Sequence, residues 1–123
     1  MEKLLLIRPD NTYAKQIEEY RKEFLDNNDS LDGCGSLERM ENPMDWLQQC
    51  KDCENSKTVP EGWVAATQYL LVREVDNRLL GMIQVRHYFN EFLEKFGGHI
   101  GYSVRATERR KGYAKTMLKM VYY

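Results

Sequence analysis

Gly98-His99-Ile100-Gly101-Tyr102-Ser103-Val104-Arg105-Ala106-Thr107-Glu108-Arg109-Arg110-Lys111-Gly112-Tyr113-Ala114-Lys115-Thr116-Met117-Leu118 is the stretch that decides the fold. It reads as a strand ending at Val104, a basic loop from Ala106 to Lys111, and a helix from Gly112 to Tyr123. Met117, Leu118, Met120 and Val121 give that helix an apolar face, so it needs a sheet to pack on. A helix start leaves backbone N–H groups unpaired and carries partial positive charge, and together these hold phosphate. Gly112 and Ala114 keep side-chain bulk away from those amides, while Arg109, Arg110 and Lys111 add charge and donors. By its chemistry alone the stretch is a diphosphate site with a strand beside it.

Upstream, Leu4 to Arg8 reads as a buried first strand, and Pro9-Asp10-Asn11-Thr12 as turn and cap. Ile17, Tyr20 and Phe24 recur at helical spacing, so residues 12–26 form a helix. Residues 27–42 are polar, carry Gly33 and Gly35, and form a loop with room for one helical turn. Pro43 after Asn42 opens a second helix over 43–54, built around Met44, Trp46, Leu47 and Cys50. Gln68 to Val75 and Leu79 to Tyr88 make an antiparallel hairpin about Val75-Asp76-Asn77-Arg78, with a bulge signalled by Gly81. The third strand of this run is Gly98 to Val104. The order is β-α-α-β-β-β-α, which makes an α/β (α+β) fold with a mixed, mainly antiparallel sheet and flanking helices.

The 123 residues suit one domain spanning 1–123. Hydrophobic residues make up 42% and the net charge is −1, so no global field draws the chain to nucleic acid or an anionic membrane. The cations between Arg105 and Lys119 would suit nucleic acid, but no exposed aromatics are interleaved with them. No apolar run is long enough to span a bilayer, and Leu4 to Ile7 is too short for a signal-peptide core. Cys34, Cys50 and Cys53 are odd in number and unevenly placed. They make no disulfide framework, and Cys50-x-x-Cys53 lacks a second pair to hold zinc, so a reducing cytoplasm is expected and no metal site.

Arg109-x-x-Gly112-x-Ala114, with Val104 five residues ahead at a strand end, resembles the Gln/Arg-x-x-Gly-x-Gly/Ala pattern of the GNAT superfamily of N-acetyltransferases. The hairpin and the two helices after the first strand fit the family's order. Arg86 to Glu91 followed by Gly97 to Tyr102 also looks like bacterial members of unassigned substrate. The resemblance implies that acetyl-CoA is bound. Backbone groups of Tyr102, Ser103 and Val104 would pair with the pantetheine arm. Amides from Arg109, Arg110, Lys111, Gly112, Tyr113 and Ala114 would cradle the pyrophosphate, with Lys115 and Thr116 able to touch it. The implied reaction is attack of an amine on the thioester, helped by positioning, an oxyanion donor and a base.

Two departures carry consequences. The family's usual carboxylate base falls six residues before Val104, where Gly98 stands, so Glu91, His99 or His87 would serve instead. Trp63 would border a substrate groove. The family also continues past this helix with further strands and a helix, so the resemblance implies a domain lacking its C-terminal third. A catalytically silent CoA-binding or protein-interaction module is then the alternative reading. An exposed sheet edge would favour a homodimer or exchange of elements between copies.

Overall fold

Asp10 caps a 3-10 turn over Asn11–Tyr13 that leads into the first helix, and Asn42 caps the second helix directly. The Asp10 carboxylate accepts from the Thr12 amide at 2.9 Å, and the Asn42 side-chain oxygen from the Met44 amide at 2.9 Å. Such a cap is worth about 1 kcal/mol. In a computed structural model, which describes residues 2–55, 57–87 and 100–122, strand β1 spans Leu4–Ile7, helix α1 Ala14–Asp26 and helix α2 Pro43–Cys53. Strands β2 (Ala66–Arg73), β3 (Arg78–Arg86) and β4 (Ile100–Val104) follow, and helix α3 (Tyr113–Tyr122) is the last element. The observed order is the expected β-α-α-β-β-β-α.

The four strands lie in the order β1-β2-β3-β4, and each neighbouring pair is antiparallel. Helices α1 and α2 cover one face, where Ile17, Tyr20, Phe24 and Trp46 pack on Leu70, Val72, Leu79 and Met82. Helix α3 covers the other, where Tyr113 and Met117 pack on Leu71, Leu80 and Ile83. Residues three apart, such as Leu80 and Ile83, cannot share a face in a regular strand. A bulge resolves this. Leu71 pairs with Gly81 and Val72 with Leu79, so Leu80 is the extra residue and the alternation resets. Gly81 is needed for a second reason: a Cβ there would stand 2.7 Å from the Ser103 carbonyl oxygen and 3.1 Å from the Met117 methyl.

The hairpin turn begins earlier than the sequence pattern implied, and both strands are shifted toward the N-terminus. Strand β2 ends at Arg73, and Val75 lies 88% exposed in the turn. Arg73 closes it through an ion pair with Asp76 at 2.7 Å, and Asn77 takes the left-handed conformation at φ 53°. Helix α1 and the residue before it then clamp the turn, with the Tyr13 hydroxyl donating to Asn77 Oδ1 at 2.6 Å and Gln16 Nε2 to the Asn77 carbonyl at 2.8 Å. Met44, placed with the apolar face of α2 by spacing, is half exposed, and Trp46 and Leu47 carry the packing instead. Among the described residues no helix is long and apolar enough to cross a membrane.

Candidate functional site

The site is built where β4 hands over to α3. Four cationic side chains follow one another closely here, and the fold gives each a different task. Arg105 turns inward: it is 3% exposed, its Nε meets Glu23 at 3.0 Å, and its Nη1 donates to the Leu79 carbonyl at 3.0 Å. Arg109 folds back over the Phe24 ring at 5.4 Å, donates to the Val104 carbonyl at 2.9 Å and pairs with Asp29 at 3.2 Å. Lys111 goes to Glu108 at 3.0 Å. Arg110 is exposed and has no ion-pair partner among the described residues.

Glu108 organises the loop. Its side chain is only 7% exposed, yet it meets Arg78 at 2.6 Å, Lys111 at 3.0 Å and Arg73 at 3.3 Å. Burial pushes its carboxyl up, but hydrogen bonds from Lys111 and Arg78 outweigh this and hold it below the usual carboxylate range. The loop is therefore tied to β2 and β3 by charge. Between these ties the backbone curls, with Arg110 at φ 66° and Gly112 at φ 81°. Such turns gather successive N–H groups into a concavity that suits an anion. The Gly112 carbonyl accepts the Thr116 amide at 3.1 Å, so the amides of Tyr113, Ala114 and Lys115 precede the first intrahelical bond of α3. A Cβ on Gly112 would meet nothing within 4 Å, so the glycine stands at open space and is required by its φ.

That space is a groove of about 340 Å³. Tyr102, Ser103, Val104, Arg109, Arg110, Gly112, Tyr113 and Ala114 all line it, which is most of the stretch singled out by sequence. Lys111, Lys115 and Thr116 are not among its lining residues; the Thr116 hydroxyl donates to the Gly112 carbonyl at 3.0 Å instead. The opposite wall comes from residues that sequence reasoning did not single out for the site, namely Phe24, Ser30 and Asp32. The only local signal for them was the glycine pair in the polar loop. Behind the groove, Ser103 Oγ and the Tyr20 hydroxyl share a hydrogen bond of 2.8 Å, and the buried Cys34 sulfur lies 3.6 Å from the same oxygen. Burial pushes the Cys34 thiol up to about 12, so it stays a neutral thiol at ordinary pH.

Other candidates lie elsewhere. Glu91 and His99 fall outside the described residues, as do Gly97 and Gly98. His87 hydrogen-bonds Thr67 Oγ1 at 2.8 Å and lines a separate apolar groove with Leu4, Tyr69 and Met120. Trp63 is 40% exposed near Gly35 and does not line the groove beside β4. Cys34, Cys50 and Cys53 are free and buried, and no group of His, Cys, Asp and Glu among the described residues is placed to hold a metal ion.

Comparison with known proteins bears on this geometry. The sequence model of the family described as Acetyltransferase (GNAT) family matches residues 17–122, from within α1 to the end of α3. No curated protein and no solved structure matches the chain. The family match covers the groove-lining residues on both walls and lends no support to a catalytically silent module. With a four-stranded antiparallel sheet between helices, and a family model matching residues 17–122, the chain belongs to the acetyltransferase (GNAT) family.

Proposed function

We propose that residues 1–123 form one N-acetyltransferase domain that binds acetyl-CoA in the groove and passes the acetyl group to an amine. The observation that carries the reading is the start of α3. Gly112 sits at φ 81° beside open space, with amides after it, and Arg110 before it, that have no partner among the described residues. These features fit a pyrophosphate. Amides from Arg110 to Ala114 would hold it, with Arg110 adding charge, while the Arg109 amide is taken by the Ala106 carbonyl at 3.4 Å. Strand β4 has β3 on one side and no other strand partner among the described residues, which leaves Tyr102 to Val104 an edge for the pantetheine arm.

In this reading a neutral amine attacks the thioester carbonyl. The C–N bond forms, the C–S bond breaks, the CoA thiolate leaves and the nitrogen gives up a proton. Backbone amides of β4 would steady the oxyanion, and Glu91 or His99 would take the proton. The free, buried cysteines suit a reducing cytoplasm. The open edge of β4 also suits a homodimer, and a light-scattering mass equal to one chain would exclude that. The test of function is calorimetric titration with acetyl-CoA of the wild type and of Gly112→Glu, with thiol release measured across a panel of amines. Binding that the substitution abolishes, and thiol released only with an amine, is the expected result. A folded wild type that binds no acetyl-CoA overturns the reading.

A further inference from the structure

The open edge of β4 does not offer every backbone group of the strand. The Arg105 amide donates to the Leu80 carbonyl of β3 at 3.0 Å. The Val104 carbonyl shares that peptide unit, so it points the opposite way, toward the open edge. In an antiparallel pair each residue turns its own N–H and C=O to one side, and successive residues alternate. Val104 and Tyr102 therefore face the open edge, while Ser103 faces β3, where its carbonyl lies against Gly81. One of the outward groups is already taken: Arg109 Nε donates to the Val104 carbonyl at 2.9 Å.

The end of α1 holds the Arg109 side chain in that place. Its guanidinium lies 5.4 Å over the Phe24 ring, and its Nη1 meets Asp29 at 3.2 Å. Both partners are themselves fixed. Phe24 is packed in the core, and the Asp29 amide donates to the Phe24 carbonyl at 2.8 Å after Asn28 turns left-handed at φ 56°. Phe24, Val104 and Arg109 all line the groove. A carbonyl oxygen bonded by a guanidinium that is anchored on two further sides is closed to the N–H of an added chain.

We infer that Arg109 is a positioning residue that sets the register of the pantetheine arm on β4. This rests on the reading of the groove as an acetyl-CoA site. With the Val104 carbonyl closed, the amides of the arm have the Val104 N–H and the Tyr102 carbonyl and N–H to pair with. A chain added to a strand edge is held by such bonds, so a stop at one end decides which amide meets which residue. A slip of one pairing step moves the arm by two residues, roughly 7 Å, and carries the thioester out of reach of the groups that act on it. Arg109 acts on the cofactor through Val104, without touching the phosphates.

The experiment follows amide hydrogen exchange at Tyr102, Ser103 and Val104, resolved by NMR, with and without CoA, in wild type, Arg109→Ala and Arg109→Gln. Gln places a side-chain nitrogen the same number of bonds from the backbone as Arg Nε, so it keeps a donor for the Val104 carbonyl. In wild type, CoA is expected to slow the Tyr102 and Val104 amides more than the Ser103 amide, which already faces β3. In Arg109→Ala the arm gains the Val104 carbonyl and slips toward α3, so the slowing at Tyr102 falls about fivefold while that at Val104 stays. Arg109→Gln restores the wild-type pattern. Affinity for 3′-phosphoadenosine 5′-diphosphate, the nucleotide half of CoA, stays the same in all three by calorimetry. Equal slowing at Tyr102 in wild type and Arg109→Ala, with CoA bound to both, overturns the inference. So does a loss of about tenfold in nucleotide affinity in Arg109→Ala, which would make the side chain a phosphate ligand. A folded wild type that binds no CoA is the separate failure, since it removes the groove reading and the inference with it.

Discussion

The two loops that wall the groove are fixed by opposite means. The loop between β4 and α3 is held by charge, through Glu108 with Arg73, Arg78 and Lys111, Arg105 with Glu23, and Arg109 with Asp29. The loop between α1 and α2 shares the Arg109–Asp29 pair and takes two hydrogen bonds from Arg21, but around Gly33 it is held by close backbone contact and neutral hydrogen bonds, through Gly33 on Gly101, Gln68 on the Gly33 carbonyl, and Trp46 on the Cys34 carbonyl. In the proposed reading, charge suits a wall that faces an anion, because cations committed to the scaffold keep the loop in place while its amides stay available. Backbone wedging fixes the other wall at Gly33, where β4 leaves no room for a side chain. The first wall should respond to pH and salt, and the second to added volume.

The sharpest way to break this contrast is Gly33→Ala. A methyl there must displace β4 backbone and also adopt φ 71°, so destabilisation on the order of 3 kcal/mol is expected in urea titration. A loss under 1 kcal/mol would mean that the loop is not wedged. For the charged wall the lever is acid. The folded-state pKa of Glu108 is lowered, so its contribution is complete above the unfolded value of about 4.3 and is lost as pH falls through the lower folded value. Thermal melts should therefore show wild type losing stability faster than Glu108→Gln as pH falls below about 4. Parallel curves would sink the assignment.

Smaller effects probe what lies behind and in front of the groove. Tyr20→Phe removes the buried partner of Ser103 and should cost about 1 kcal/mol in urea titration. Arg110→Ala should change stability by less than about 0.5 kcal/mol, because the side chain is exposed and has no ion-pair partner among the described residues. The same variant should weaken acetyl-CoA binding about tenfold by calorimetry, because a charge-assisted phosphate contact is lost. An affinity unchanged by Arg110→Ala would leave the cradle to backbone amides alone.

Much of the site was legible because it is local. The curl at Gly112, the unpaired amides of α3 and the edge of β4 follow from neighbours within a few residues, and local geometry leaves its mark on local sequence. Even the bulge was announced by a single residue, Gly81, although its full reason includes the Ser103 carbonyl and Met117 from elements about twenty to forty residues later. Side-chain direction was not legible. Arg105 and Arg109 read as part of one basic run, yet both serve the scaffold, since their carboxylates arrive from α1 and the loop after it. Glu108 read as one acid among bases, because Arg73 and Arg78 lie thirty or more residues away.

What the sequence by itself determined was the order of elements, the need of the last helix for a sheet to pack on, and a glycine-marked turn where β4 meets α3. Hydrophobic period, caps and glycines act over one or two turns, so they can be read along the chain. What only the tertiary structure decided was the second wall of the groove and the tasks of its charges. Gly33 meets Gly101, and Ser30 and Asp32 face Ser103, because α1 and α2 pack on one face of the sheet and carry their connecting loop over β4. No local rule encodes a contact between residues some seventy positions apart. It exists because burying Tyr20, Phe24 and Trp46 leaves that loop one place to lie.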